Sequence, residues 1–140
     1  LIFNRFGANS AAYAITGAGA VVKNGLGTQV LTAANSYSGG TTVNGGTLHI
    51  TTTAGVANTG TFTLNTGTFQ INLGAGTNFG YAPTINLTAS STIGNAAAGS
   101  NADLQGQINY TGALDGGGNT LNVANTGLAR LYMNGTLSNL

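Results

Sequence analysis

Charge is the scarcest property of this sequence. Only 4% of its 140 residues are charged, against about 25% in ordinary soluble domains. The charged residues are Arg5, Lys23, Arg130, Asp103 and Asp115, and glutamate is absent. The net charge is +1, so the sequence offers no electrostatic footprint for a nucleic acid or an anionic membrane. We therefore expect no nucleic-acid partner.

Cysteine is absent and proline occurs once, as Pro83. Without cysteine there are no disulfides, thiolate metal sites or cysteine nucleophiles. The 24 glycines follow no triplet period, which excludes a collagen helix. No apolar run approaches the roughly 20 residues of a membrane span, so we expect no membrane insertion. Because Leu1 is neither an initiator methionine nor the start of a signal peptide, we expect a segment of a longer, processed precursor.

The sequence does contain an internal repeat of 21 residues. Apolar residues recur at this spacing, and a glycine follows each of the first three at a fixed distance. The apolar column continues with some drift, since its fourth step is 23 residues. The repeat positions are Val22, Gly25, Val43, Gly46, Leu64, Gly67, Leu87 and Ile108.

Within each repeat, apolar and polar residues alternate, as in 48–50 (Leu-His-Ile) and 69–71 (Phe-Gln-Ile). This alternation predicts short strands with one face inward. A lone short strand cannot bury that face, whereas stacked coils about 4.8 Å apart can. We therefore predict an all-β fold, a right-handed parallel β-helix spanning 1–140 with coils of about 21 residues. Its inward column should contain the apolar repeat positions, with Val21 and Lys23 facing outward.

Asn-Gly pairs occur between the strands, at Asn24-Gly25, Asn44-Gly45 and Asn134-Gly135. Both residue types tolerate the tight backbone of a solenoid corner, and stacked asparagines can form hydrogen-bonded ladders. Asn-Gly is also a strong hairpin signal, so an antiparallel sandwich or barrel is the competing interpretation. The 21-residue columns favour the solenoid, because hairpins need no such register.

Residues 15–50 carry a more specific pattern. Its distinctive pieces are Gly17-Ala18-Gly19, Val22-Lys23-Asn24-Gly25, Ala34-Asn35-Ser36-Tyr37-Ser38-Gly39-Gly40-Thr41-Thr42-Val43 and Gly46-Thr47-Leu48. This stretch closely resembles the autotransporter-associated β-strand repeat, also called the passenger-associated transport repeat. The resemblance implies a β-helical passenger in a large bacterial surface protein, linked to efficient export and to extending a distal functional region from the cell. It also implies an extracellular or outer cell-surface location.

Candidate catalytic and metal-binding residues are few. Asp103 and Asp115 lie 12 residues apart, about half a coil, so we expect two solvated turn residues and not a glycan-cleaving pair. His49, the single histidine, should face outward, as should Gln70 one coil later. The segment Asp115–Asn119 resembles one calcium-binding glycine repeat, but it is not repeated. We predict no catalytic, cofactor-binding or metal-binding residue, and no cofactor.

The sequence thus favours a non-enzymatic scaffold or stalk that supports export, display or adhesion, with no host-surface or glycan ligand identified. Two alternatives stay open. One is a self-assembling filament or surface layer, because both ends are apolar and uncapped, so that neighbouring repeats or further copies should stack end to end. The other is a glycan-binding, glycan-processing or ice-binding β-helix, the last suggested by threonines at 51–53, 61–63 and 66–68.

Overall fold

The computed structural model describes residues 1–73, 77–95, 107–125 and 130–140, which form short strands of two to five residues. None of these residues lies in a helix, and so none forms a helix that could cross a membrane. In chain order the strands are β1 (Ile2–Asn4), β2 (Asn9–Ala11), β3 (Val21–Asn24), β4 (Thr28–Leu31), β5 (Thr41–Val43), β6 (Thr47–Ile50), β7 (Phe62–Leu64), β8 (Thr68–Ile71), β9 (Phe79–Tyr81), β10 (Ile85–Leu87), β11 (Ser91–Asn95), β12 (Gln107–Tyr110), β13 (Leu114–Asp115), β14 (Leu121–Asn125), β15 (Arg130–Met133) and β16 (Leu137–Ser138).

The strands form three parallel sheets, each along one side of a coiled chain. The first sheet has the order β1-β3-β5-β7-β10-β13-β16, the second β2-β4-β6-β8-β11-β14, and the third β9-β12-β15. Successive strands in each sheet come from successive coils, and every pairing is parallel. The predicted parallel β-solenoid is therefore confirmed and the antiparallel alternative is wrong. The right-handed sense of the coil stays a prediction.

The inward column of the first sheet confirms part of the predicted register. Val43 pairs with Leu64 at a spacing of 21 residues, and Leu64 pairs with Leu87 at a spacing of 23. All three side chains are buried. Alternation along each strand places these residues in the core, as expected for stacked coils.

The prediction for the first member of the column is wrong by one residue. Val43 pairs with Lys23, whereas Val22 pairs with Thr42. Val21 and Lys23 are buried and Val22 is only half-buried. The cause is a coil of 20 residues in place of 21 between Lys23 and Val43. Because side chains alternate across a sheet, this single residue exchanges the inward and outward faces.

Ile108 also lies outside the predicted column. It belongs to the third sheet, where it pairs with Phe79 and Leu131. The next coil of the first sheet is reached only at Leu114, which pairs with Ile85 at a spacing of 29 residues. A constant period therefore fails here, because the coil lengthens when the third side acquires strands of its own.

The glycine column is correct in part. Gly46 and Gly67 precede the paired residues Thr47 and Thr68 and so occupy equivalent places. Gly25 does not, since Gly27 is the residue that precedes Thr28, the partner of Thr47. Gly46 has a φ of 61°, and a Cβ there would overlap the backbone of the preceding corner. Only glycine satisfies both conditions.

The core is a continuous stack of inward side chains with an aromatic cluster at its centre. The rings of Phe62 and Phe69 lie 4.6 Å apart, and Phe62 meets Tyr81 edge-on at 5.8 Å. Tyr81 in turn meets Tyr110 at 6.2 Å. These tilted and edge-on contacts are the arrangements that aromatic pairs favour, so the cluster stabilises the join between the first coils and the longer later ones.

The third side of the first coils is made of stacked loops and not of strands. Backbone hydrogen bonds still join the coils there, from the Ser36 N–H to the Ile15 carbonyl and from the Ser38 N–H to the Gly17 carbonyl, both at 2.9 Å. The Asn35 N–H continues the stack to the Ala54 carbonyl of the next coil at 2.8 Å. From β9 onward a regular ladder takes over on this side.

The observed register gives a direct test with two neighbouring valines. Val21→Ala should lower the free energy of unfolding by about 2 kcal/mol, because it removes two buried methyl groups and leaves a cavity. Val22→Ala makes the same chemical change at a half-buried position and should cost less than about 1 kcal/mol. Denaturant unfolding of the two variants measures both values. Equal losses, or a larger loss from Val22→Ala, would contradict this register.

Candidate functional site

The two aspartates do not form a site in the part of the chain that can be described. Asp103 lies outside the described residues. The Asp115 carboxylate accepts hydrogen bonds from the Asn139 side chain at 2.9 Å and from the Gly117 N–H at 3.1 Å. These two bonds hold the pKa of Asp115 below its ordinary value, so its carboxylate holds a turn in its charged form.

His49 lies on the outer face of the second sheet, as expected, and pairs with Gln70 one coil later. The ring is half-buried, and this desolvation lowers the pKa of His49. The described residues contain no group of three or more His, Cys, Asp or Glu that could hold a metal ion. The absence of catalytic, cofactor and metal sites stays a prediction.

The threonines do not form the array suggested by the sequence. Thr63 belongs to the first sheet and Thr68 to the second, so these two positions lie on different sides of the solenoid. A different column of threonines runs along the outer face of the second sheet. Its members are Thr28, Thr47, Thr68 and Thr92. The neighbouring outward column contains Val30, His49 and Gln70, so no double threonine array forms.

The unusual feature of this solenoid is instead a set of polar side chains inside it. Six polar or charged residues are buried among those described, and four of them fall between positions 23 and 41. Buried polar groups are stable only when they are hydrogen-bonded. We call the following group the polar clamp: Lys23, Gln29, Asn35, Tyr37 and Thr41.

Asn35 joins three successive coils through one side chain. Its Oδ1 accepts a hydrogen bond from the Ile15 N–H of the preceding coil at 2.8 Å. Its Nδ2 donates to the Gly55 carbonyl of the following coil at 2.6 Å and to the nearby Ala33 carbonyl at 3.2 Å. Asn35 is 7% exposed, so water cannot easily replace these bonds. The side chain therefore acts as a cross-link on the side where the first coils have no strands.

Tyr37 and Thr41 close the same turn from inside. The Tyr37 hydroxyl hydrogen-bonds the Thr41 hydroxyl at 2.6 Å, and both residues are buried. Burial raises the pKa of Tyr37 above its ordinary value, so the phenol stays neutral. Between them, Gly40 has a φ of 84°, and a Cβ there would lie 2.5 Å from the Thr61 carbonyl oxygen. The turn can therefore dock on the following coil only with glycine at this position.

Gln29 extends the clamp to the second sheet. It is 1% exposed and lies in β4. Its Oε1 accepts a hydrogen bond from the Asn9 side chain at 3.3 Å, while its Nε2 donates to the Val30 carbonyl at 3.0 Å. The first of these bonds links two neighbouring coils within the sheet.

Lys23 is the most unexpected member of the clamp. Its side chain is 1% exposed and lies between Phe3 and Val43 in the inward column. The ammonium donates to the carbonyl oxygens of Asn24 at 2.5 Å, Gly25 at 2.8 Å and Gly45 at 3.2 Å. The first two carbonyls belong to its own corner and the third to the next coil, so Lys23 also links two coils.

A second, exposed set of bonds follows the outer corner. The Asn44 side chain donates to Asn24 Oδ1 at 2.8 Å and accepts from Asn65 Nδ2 at 3.4 Å. The predicted asparagine ladder is thus confirmed over three coils. Such exposed bonds compete with water, so each contributes little net stability.

The comparison with protein families identifies the segment that holds the clamp. Residues 21–50 match the family model of the passenger-associated-transport-repeat, which confirms the resemblance over that stretch. All five clamp residues lie within it. No curated protein and no solved structure matches the chain.

Sequence reasoning missed the clamp because its residues have polar side chains that alternate with apolar ones, which normally indicates an outward face. Lys23 was assigned to the surface for that reason. One signal was present: Asn35, Tyr37, Gly40 and Thr41 fall within the most distinctive part of the resemblance. A run of polar residues with no counterpart in the neighbouring repeats indicates a local structural role.

Two asparagines provide a matched test of the clamp. Asn35→Ala should lower the free energy of unfolding by about 3 kcal/mol, because it leaves a buried N–H and a buried carbonyl without partners. Asn44 also links the preceding and following coils, but at the exposed corner, so Asn44→Ala should cost about 1 kcal/mol or less. Calorimetry or denaturant unfolding of the two variants decides. Similar losses would show that burial of the Asn35 amide is unimportant.

Proposed function

We propose that this chain is a structural segment of an autotransporter passenger, a non-enzymatic stalk that is exported and held at the outer surface of a bacterium. The repeat at 21–50 and the β-solenoid fold suggest a passenger scaffold. The single observation that carries the proposal further is the polar clamp, because every described interaction of its buried amide joins backbone to backbone and leaves no polar group for a substrate.

The clamp also supports a role in export. Asn35 can satisfy both ends of its amide only when the coils before and after it are in place. The repeat therefore becomes stable together with its two neighbours and not alone. A passenger that folds in such steps gains stability as each coil is added, which favours forward movement of the chain out of the cell. The absence of cysteine is consistent with transport of an unfolded chain.

A stalk also needs an inert, regular surface. The outer faces of the described coils carry neutral Thr, Asn and Gln columns, as in Thr28, Thr47 and Gln70. With a net charge of +1, the surface attracts neither strongly acidic nor strongly basic partners. We propose that display or adhesion depends on a region that this solenoid supports.

Export can be tested with the same asparagine pair. The full chain is placed within an autotransporter passenger that retains its leader and export domain, and the protein at the surface of intact cells is measured by added protease. Asn35→Ala should reduce the surface fraction several-fold, because the coil stack forms less readily. Asn44→Ala should remain close to the unsubstituted chain. If both variants reach the surface normally while Asn35→Ala is less stable in solution, the role in export is wrong.

A second candidate function, assembly into a filament, is favoured by the two ends of the solenoid. In the described part of the chain, β1 and β16 each pair with only one strand, so each leaves an open edge. Large apolar side chains are exposed there, including Phe6 at one end and Leu140 at the other. An open groove of about 310 Å³ at the far end is lined by Asn119, Thr120, Leu121, Val123, Met133, Leu137 and Leu140.

We propose that this groove receives the first coil of a second copy, stacked head to tail. Both open edges belong to parallel sheets, so a second copy can continue the ladder, and the low charge offers little repulsion. In concentration-dependent light scattering, the mass of the chain should rise with concentration. Leu137→Lys should abolish this rise, whereas Leu26→Lys, at an exposed corner between the ends, should not. A constant monomer mass for the unsubstituted chain would exclude the filament.

A further inference from the structure

The corner that surrounds the Lys23 ammonium has the composition of a cation site. Three backbone carbonyl oxygens, from Asn24, Gly25 and Gly45, lie 2.5, 2.8 and 3.2 Å from the nitrogen. Within the described residues no carboxylate pairs with this ammonium. Rings of carbonyl oxygens are the ligands that proteins use for monovalent cations such as K⁺.

Packing alone does not explain a lysine at this position. The residues directly before and after it in the inward column are Phe3 and Val43, both apolar and buried. An apolar side chain would thus suit the column itself. Burial also opposes the charge, since desolvation lowers the pKa of Lys23. A buried charge persists only where other groups compensate it, and here the compensating groups are the carbonyls.

The backbone around the ammonium is arranged tightly enough to hold this geometry. Gly25 has a φ of 66°, which turns the corner, and a Cβ on Gly46 would lie 2.7 Å from the Gly25 carbonyl oxygen. The following coil therefore packs directly on the carbonyls that face Lys23. If the ammonium were absent, the Asn24, Gly25 and Gly45 carbonyls would be left together without a donor, which costs free energy.

We propose that this corner is a binding site for a primary ammonium or similar monovalent cation, and that Lys23 is the tethered cation that fills it. The proposal does not rest on the role in export. It implies that the joint between these two coils requires a positive charge at this point, and that a free cation can occupy the site when the tether is removed.

The test removes the tether and supplies the cation separately. Lys23→Ala deletes three methylenes and the ammonium, which n-propylammonium replaces. The midpoint temperature of the variant should be lower than that of the unsubstituted chain, and n-propylammonium should raise it by about 2–4 °C in a concentration-dependent way. Val43→Ala, which leaves a cavity in the same column without the carbonyls, is the matched control and should not respond. Neutral n-propanol should rescue neither variant.

Two results would overturn the proposal. One is an equal response of Lys23→Ala to n-propanol and n-propylammonium, which would mean simple filling of a cavity. The other is a Lys23→Met variant as stable as the unsubstituted chain, which would mean that the carbonyls need no cation. If Lys23→Ala does not fold alone, recovery of its β-sheet circular dichroism by n-propylammonium, and not by n-propanol, supports the proposal.

The unsubstituted chain provides an independent measurement. Lys23 is the single lysine, so its ammonium gives an unambiguous signal in a ¹⁵N-labelled sample. Its Nζ protons should exchange with water much more slowly than those of free lysine, because the three carbonyls hold them. Exchange at the rate of free lysine would refute the site even if no variant folds.

Discussion

Hydrogen bonding between one coil and the next is the interaction on which this structure depends. Each strand has only two to five residues, too few to bury an apolar face alone. Stacking on a neighbour completes the backbone pairing and the core at once. On two sides of the first coils the backbone ladder provides this pairing. On the third side the loops cannot form a ladder, so Asn35 supplies the missing bonds with its side chain. The clamp is thus local compensation for an irregular side of the coil.

The use of polar groups inside the solenoid has a physical explanation. An apolar core tolerates slippage of one coil against another, since many registers bury similar area. A buried amide or ammonium, by contrast, is satisfied in one register only and is costly in the others. Lys23 and Asn35 both take partners from the following coil. They therefore fix the register where the chain has few large apolar residues, and the aromatic cluster around Phe62 and Tyr81 fixes it further on.

The sequence predicts the solenoid well but predicts its interior only in part. Alternation identifies Leu48 and Phe69 as inward, and the 21-residue spacing aligns Val43 with Leu64, because strand pairing depends on period and polarity. The same reasoning fails at Val22, where the coil is one residue shorter, and at Ile108, where the chain enters a third sheet. Coil length is set at the corners, and a hydrophobic pattern carries little information about corners. Lys23 could not be placed from its polarity, because its partners are backbone carbonyls that no sequence pattern specifies.

The burial of Lys23 has a consequence for life outside a cell. Digestive enzymes of the trypsin type cut after lysine or arginine, and this chain offers them three such residues. Lys23 is inside the solenoid, so cleavage there requires unfolding. The other two, Arg5 and Arg130, lie in the first and last coils and are exposed. A trypsin-like protease could therefore trim the ends of the folded chain while the coils between them stay intact. Few basic residues, with the central one hidden, give a rod without disulfides a resistance to proteolysis that its core alone would not provide.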